Sequence, residues 1–202
     1  MRNILLALAA PVLMMYLTAC SSDDVSTVST IAVTDCISVN KALKEAPELV
    51  DSIVSIHGQC AHICDYSAFT AYIMGHDSVL IRCVATPMIG GYFPDSLEKK
   101  QVIFDGMLRD QHLNIEGVHN LDEQYRMHMQ ILRDYNLDDD SQMLDSHRRC
   151  EYERRYRGQE GIVFFDESTS DYRKRIEQRT TEEGKDYLTF YYLQVTSYQI
   201  VE

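Results

Sequence analysis

Residues 57–64, which read HGQCAHIC, carry two cysteines and two histidines within eight positions. Thiolates and imidazoles are ligands typical of zinc and copper, and a thiolate is also the nucleophile of disulfide chemistry. Alternate residues of an extended strand share a face, so Cys60, His62 and Cys64 are predicted on one side and His57 on the other. The two cysteines would lie about 13 Å apart, whereas a disulfide tolerates about 7 Å between Cα atoms. The two cannot bond each other unless the strand breaks, and each could instead bond a cysteine on another element.

Three interpretations of this segment stay open. Cysteine is among the most frequently buried residue types, so the thiols can be plain packing groups of a strand, with or without one disulfide. The second interpretation is a zinc or copper site formed by Cys60, His62, Cys64 and Cys83. The third is thiol redox chemistry, although no strand–helix–strand pattern of the thioredoxin kind accompanies these cysteines.

The rest of the sequence lacks recognisable catalytic motifs. There is no G-x-S-x-G, H-E-x-x-H, P-loop or dinucleotide-binding fingerprint, so we expect no enzymatic activity. The formal net charge of −12 disfavours binding to nucleic acid, which requires clusters of Lys and Arg. The tyrosines of the last strand could form a binding platform, but alternation along a strand favours packing for about half of them.

The N-terminal segment predicts export and lipidation. Arg2 precedes an apolar run over residues 4–17, which is too short for a stable membrane span and is typical of a signal peptide. The following Leu-Thr-Ala-Cys resembles a bacterial lipobox, which implies cleavage between Ala19 and Cys20 and a diacylglyceryl group on Cys20. Acylation of the new amino terminus would then complete a firm anchor in the lipid bilayer.

The predicted location is the bacterial cell envelope, with the outer membrane favoured over the inner one. Residues 21–24, SSDD, are similar to the export signal of surface lipoproteins in Bacteroidetes, and a solvated tether explains them equally well. Five cysteines remain after lipidation of Cys20, an odd number, so at least one is expected to be unpaired, metal-bound or linked to another molecule. They are Cys36, Cys60, Cys64, Cys83 and Cys150.

The chain after this segment alternates between helical and strand-like periods. Apolar positions at helical spacing predict helices, and runs rich in β-branched residues predict strands. The predicted elements are a helix over residues 38–46, a strand over 50–64, a hairpin over 70–85, a strand over 100–114, charged helices within about 119–182, and a strand over 186–201.

Five strands in this order predict a mainly β, α+β domain. The expected architecture is a five-stranded OB-like Greek-key barrel with a helical insertion between its fourth and fifth strands. Gly58 and Gly106 lie within the two long strands, where they would allow a bend between the layers of the barrel. The predicted organisation is a signal peptide over 1–19, an acylated cysteine and tether over 20–36, and the OB-like domain over 37–202.

Several segments also resemble a known family. VSIHGQCAHICDYSAFTAYIMG, VLIRCVA, KQVIFDGMLRDQ and GKDYLTFYYL resemble uncharacterised OB-fold-like lipoproteins of Bacteroidetes. That family carries a His-x-Cys-x-His-x-Gly motif before its second strand. His62 and Cys64 match the first two positions of the motif, while Tyr66 stands where the second histidine is expected. The resemblance implies the barrel and the lipid anchor, and it implies no activity.

Together these observations predict a non-enzymatic binding or interaction module held at the envelope. Its partner is expected to be another envelope protein or a small ligand, and it needs no cofactor. The alternative is a metal-binding or thiol-redox lipoprotein, with zinc or copper bound by Cys60, His62, Cys64 and Cys83.

Overall fold

The structure is a computed structural model that describes residues 36–65, 68–136 and 150–201. Ala19, Cys20 and Tyr66 lie outside the described residues, so the predictions made for them are not addressed by the fold. Within the described ranges no helix is long and apolar enough to cross a membrane. The elements in chain order are β1 (Ile37–Ser38), α1 (Val39–Lys44), α2 (Ala46–Leu49), β2 (Ile53–Ile63), β3 (Thr70–Met74), β4 (Leu80–Ala85), β5 (Gln101–Asn114), α3 (Ile115–Asp134), α4 (Glu151–Tyr156), α5 (Phe165–Glu183) and β6 (Tyr187–Val201).

Strands β2 to β6 close into a mixed barrel. The order of strands in the sheet is β1-β2-β3-β4-β6-β5, and β5 also pairs with β2, which closes the ring. β4 and β6 run parallel, while the other neighbours within the barrel are antiparallel. The helices α3, α4 and α5 all lie between β5 and β6 along the chain. The prediction of an OB-like barrel with a helical insertion between its fourth and fifth strands is confirmed.

Two glycines let the long strands bend into this barrel. A Cβ atom on Gly106 would overlap the carbonyl oxygen of Gln194 in β6, and the β5–β6 register shifts between Asp105 and Gly106. A Cβ atom on Gly58 would lie 2.5 Å from Cγ2 of Ile73 in β3. Both positions require glycine because neighbouring strands approach closely there.

The interior of the barrel is apolar. Every barrel strand contributes side chains to it, and α1 covers it with the fully buried Val39 and Ala42. Phe93, from the loop between β4 and β5, stacks on Phe104 with ring centroids 5.3 Å apart. The barrel is therefore a packed core rather than an open channel.

The first helix begins next to the predicted residue 38 but ends earlier than predicted. The Ser38 hydroxyl accepts a hydrogen bond from the backbone N–H of Lys41. Two short helices replace the single helix expected over residues 38–46, and Glu45 both ends α1 and caps α2. Pro47 lies in the first turn of α2. The first turn tolerates proline because its N–H has no partner within the helix.

Strands β5 and β6 continue past the barrel and support the inserted helices. β2 pairs with β5 only over residues 101–107, whereas β6 follows β5 to its last residue. In the extension, Leu113 of β5 and Leu188 and Phe190 of β6 pack against Tyr172 and Ile176 of α5. The insertion thus has an apolar core of its own, next to that of the barrel.

Candidate functional site

A β-bulge interrupts residues 57–64 between Cys60 and His62. Cys60 pairs with Ile73 and belongs to the barrel core, whereas His62 pairs with Tyr72, and the register shifts between them. His62 stacks on Tyr152 of α4, with ring centroids 4.7 Å apart, outside the barrel. The prediction that Cys60 and His62 share a face is wrong, because the bulge inserts an extra residue and reverses the alternation.

Two of the predicted ligands lie inside the barrel. Cys60 and Cys83 are fully buried among apolar side chains. Burial, with a smaller contribution from the Glu98 carboxylate, raises the pKa of Cys60 to about 12. Burial also raises the pKa of Cys83, and the nearby Cys60 thiol adds to that effect. Both thiols are therefore protonated at neutral pH and are weak nucleophiles.

The other two predicted ligands lie outside the barrel. Nδ1 of His62 is 3.1 Å from Oε1 of Glu98. Cys64 is buried directly after β2, and its backbone N–H donates to the Thr70 carbonyl at 2.9 Å. The four residues of the proposed metal site are thus divided between the two sides of the sheet. The described ranges contain no group of three or more His, Cys, Asp or Glu placed to hold a metal ion.

A helix of the insertion covers the outside of β3 and β4. Cys150, which precedes α4, packs with Tyr72 and Leu80, and Tyr152 and Tyr156 of α4 extend that cluster. We call this outer surface of β3 and β4 the covered face. Burial raises the pKa of Cys150, and its neighbour Cys64 contributes to the shift. The strands β3 and β4 therefore have buried side chains on both of their faces.

A buried carboxylate holds α4 to the covered face. Tyr72 donates its hydroxyl to Oε2 of Glu153 at 2.5 Å. Nε of Arg157 lies 2.6 Å and Nη1 of Arg82 lies 3.5 Å from Oε1 of Glu153, whose side chain is only 6% exposed. We call these four residues the Glu153 network. They join the two strands of the covered face to α4 and to Arg157, the residue that follows it.

The Glu153 network is charged. Burial by itself raises the pKa of Glu153, but the guanidinium groups of Arg157 and Arg82 outweigh it, so the net shift is downward. The pKa of Tyr72 is raised, first by burial and then by the Glu153 carboxylate, so the tyrosine stays a hydrogen-bond donor. The network therefore contains one carboxylate and two guanidinium groups at neutral pH.

Helix α4 covers the surface that OB-folds commonly use to bind ligands. In OB-folds the face of the second and third strands, with the neighbouring loops, commonly binds oligonucleotides or oligosaccharides. The corresponding strands here are β3 and β4, and their outer side is the covered face. The surface that this fold commonly uses is thus occupied by the chain's own insertion.

The insertion creates a cavity beside the Glu153 network. Its volume is about 170 Å³, and it lies between the end of β5, helices α3 and α4 and the start of α5. Val163 and Phe164 at its edge are 62% and 66% exposed. The residues lining it are Gln111, Leu113, Leu121, Glu153, Arg154, Arg157, Gln159, Ile162, Val163, Phe164, Phe165, Ser168 and Tyr172.

Side-chain hydrogen bonds shape the wall formed by the link between α4 and α5. The Gln159 amide donates to the Ser168 carbonyl at 2.8 Å and to Oδ2 of Asp171 at 3.0 Å. The Ser168 hydroxyl donates back to Oε1 of Gln159 at 2.6 Å. Gln159 is 4% exposed, so this wall is fixed by buried, satisfied polar groups.

The sequence did not point to the Glu153 network. Glu153 and Arg157 are four residues apart on a densely charged helix, a spacing that also occurs on solvated helices. The one available sign is that Tyr152 and Tyr156 share the same two turns, since tyrosine adds apolar area to a helix otherwise rich in charge.

Of the tyrosines in β6, Tyr198 packs against the barrel core, while Tyr192 lies beneath the Arg82 guanidinium.

Comparisons with known proteins found no match for this chain. No protein-family model matches the chain, and no similar protein was found among curated sequences or among solved structures.

Proposed function

We propose that this protein is an acylated lipoprotein of the bacterial cell envelope that acts as a non-enzymatic binding module for a small ligand. The lipobox at Ala19 and Cys20 and the apolar run before it support the anchor in the lipid bilayer, with the outer membrane preferred. The net charge of −12 supports a partner other than nucleic acid.

The choice of binding site is based on where the inserted helices lie. Helix α4 occupies the outer side of β3 and β4, while the same insertion encloses a cavity with an exposed apolar edge at Val163 and Phe164. Exposed apolar residues around a concave, mainly apolar pocket are typical of ligand sites. We therefore place ligand binding in the cavity between the insertion and the extension of β5.

Methyl resonances can test the site without any substitution. The full-length protein, purified from the envelope in lipid nanodiscs, is titrated with benzyl alcohol, a small uncharged probe that matches the cavity in size. We expect saturable shifts of the methyl groups of Leu113, Leu121 and Ile162, which line the cavity. Ile53 and Ile200, exposed elsewhere, serve as internal controls and should not shift. Equal, non-saturating shifts at all five residues would contradict a specific site.

The anchor is tested separately. Cys20→Ser should abolish metabolic labelling with palmitate and move the protein from the membrane fraction to the soluble fraction. Cys36→Ser, a matched substitution outside the lipobox, should leave both unchanged. A Cys20→Ser variant that stays labelled and membrane-bound would refute the lipoprotein proposal. Density-gradient separation of the two membranes would test the preference for the outer one.

A further inference from the structure

Cys64 lies on the side of β2 that faces α4. Its backbone N–H donates to the Thr70 carbonyl, so the pairing of β2 with β3 continues one residue past the end of β2. Alternate residues of a strand share a face, which places Cys64 on the same side as His62. The His62 ring stacks on Tyr152 of α4, so that side is the outer one. Cys64 therefore faces the insertion, where it is buried to 1% exposure.

Cys150 reaches the same place from the insertion. It is the residue immediately before α4, and it is buried against Tyr72. Tyr72 is the cross-strand partner of His62, and the two rings are 6.2 Å apart. Cys64 and Cys150 thus adjoin the two members of one cross-strand pair, and Cys64 contributes to the raised pKa of Cys150. Both are free thiols in the structure, and we call them the outer thiol pair.

The two cysteines inside the barrel are not placed for such a link. Cys60 lies on β2 and Cys83 on β4, and β3 separates the two strands. Neighbouring strands are about 4.8 Å apart, so Cα atoms two strands apart are separated by about 10 Å, whereas a disulfide tolerates about 7 Å. Cys150 approaches its partner from a helix on the face of the sheet, so strand spacing does not keep the outer thiol pair apart.

We propose that the outer thiol pair is a site of oxidative modification, at which Cys64 and Cys150 form a disulfide that ties α4 to the end of β2. The reaction is thiol–disulfide exchange with a disulfide oxidant of the envelope. This inference takes its oxidant from the location given in the proposed function, and it is independent of the cavity and its ligand.

The exchange proceeds in two steps. The Cys150 thiolate attacks one sulfur of the oxidant and releases the other sulfur as a thiolate. The Cys64 thiolate then attacks the Cys150 sulfur and releases the second oxidant thiolate, so the oxidant gains two electrons and the protein gains one S–S bond. The protons of the two cysteine thiols pass to the two released thiolates. Cys150 reacts first because it is 9% exposed, more than Cys64.

Opening of α4 gives the oxidant access to the outer thiol pair. The helix has only six residues and depends on its contacts with the covered face, so it opens locally while the barrel stays closed. While α4 is in place, burial raises the pKa of Cys150 and makes the thiol a poor nucleophile. Once formed, the disulfide limits that opening, because it keeps the start of α4 next to β2.

Peptide mapping under non-reducing conditions tests the pairing in the unmodified protein. The full-length protein in nanodiscs is reduced, freed of reductant, treated with oxidised glutathione at neutral pH, blocked with iodoacetamide and digested with trypsin. We expect a linked peptide that joins residues 45–82 with residues 150–154. Fragmentation of that peptide should assign the bond to Cys64 and show Cys60 alkylated. Protein extracted from the envelope directly into iodoacetamide should carry the same link.

Two substitutions and one exchange measurement complete the test. Cys64→Ala should abolish the link to residues 150–154, and Cys60→Ala, a matched change on the same strand, should preserve it. Oxidation should slow hydrogen exchange in α4 by about tenfold and leave β5 unchanged.

Two results would overturn the proposal: Cys64 and Cys150 that stay alkylated, or separate glutathione adducts on them with no bond between the two. A link that glutathione forms, but that is absent from the extracted protein, would support the pairing and count against the proposed location.

Discussion

The inside of the barrel and the covered face are buried on opposite sides of the same two strands, yet different forces hold them. Inside, Ile73 and Cys83 belong to a cluster of apolar side chains, and the shape of these side chains determines the packing. Outside, Tyr72 and Arg82 meet a buried carboxylate, and charge and hydrogen bonds determine the contact. Antiparallel strands commonly bury one face and leave the other in water, so burial of both is the unusual feature.

The barrel and the covered face are therefore expected to differ in their stability against unfolding. The barrel is closed by hydrogen bonds around its whole circumference and by its apolar core. Helix α4 has only six residues, too few for a helix to be stable by itself in water, so it depends on the Glu153 network and the tyrosines beside it. Changes in the core should therefore affect the whole domain, and changes in the network should act first on α4.

The largest effect is expected in the barrel core. Phe104→Ala should lower the free energy of unfolding by about 3–5 kcal/mol, because it removes a fully buried ring that stacks on Phe93 and leaves a cavity. Denaturant titration measures the loss. Tyr92→Ala, at a position 57% exposed, is the control and should change stability by no more than about 0.5 kcal/mol. If both substitutions lowered the free energy of unfolding by a similar, small amount, the proposal that Phe104 is tightly packed in the core would be contradicted.

A somewhat smaller and more local effect is expected in the network. Glu153→Gln should cost about 3 kcal/mol, because Arg82 and Arg157 then remain partly buried without their carboxylate. Hydrogen exchange should show protection lost in α4 before β2 to β5. Glu151→Gln, exposed on the same helix, provides the control. Uniform loss of protection across the barrel would show that the two regions unfold as one unit.

The contribution of Glu153 to the free energy of unfolding is expected to depend on pH. The folded-state pKa of Glu153 lies below its ordinary value of 4.5, so its contribution to stability is fully present above that value. The contribution is lost as the pH falls through the lower folded-state pKa. The difference in unfolding free energy between the unmodified protein and Glu153→Gln should therefore be constant at neutral pH and shrink below pH 4.5. A difference that persists at lower pH would contradict a charged Glu153.

The smallest effect is expected for Tyr72→Phe. The substitution keeps the ring in the covered face and removes one hydrogen bond to Glu153, which still has two guanidinium partners. A loss of about 1.5 kcal/mol is expected for a bond to a charged group. Tyr135→Phe, whose side chain is 72% exposed, is the matched control and should have no measurable effect. A loss as large as that of Glu153→Gln would mean that the hydroxyl, rather than the ion pairs, holds α4.

The barrel could be predicted because its signals are local. Period-two runs marked the strands, and Gly58 and Gly106 marked the bends that closure requires, since only glycine permits the observed approach of neighbouring strands. The order of the strands and the late return of β6 were then sufficient for an OB-like topology. The single helix predicted over residues 38–46 is divided in two, because Pro47 suits the first turn of a new helix.

The sequence by itself thus determined the strands, the place of the insertion and the overall acidity. Tertiary structure alone decided which side chains of residues 57–64 meet, because one bulge at Cys60 and His62 exchanges the two faces of a strand. It also decided that Glu153 is buried and that a cavity lies beside it. A spacing of four residues is the same on a solvated helix and on a covered one, and the difference depends on which surface the helix packs against.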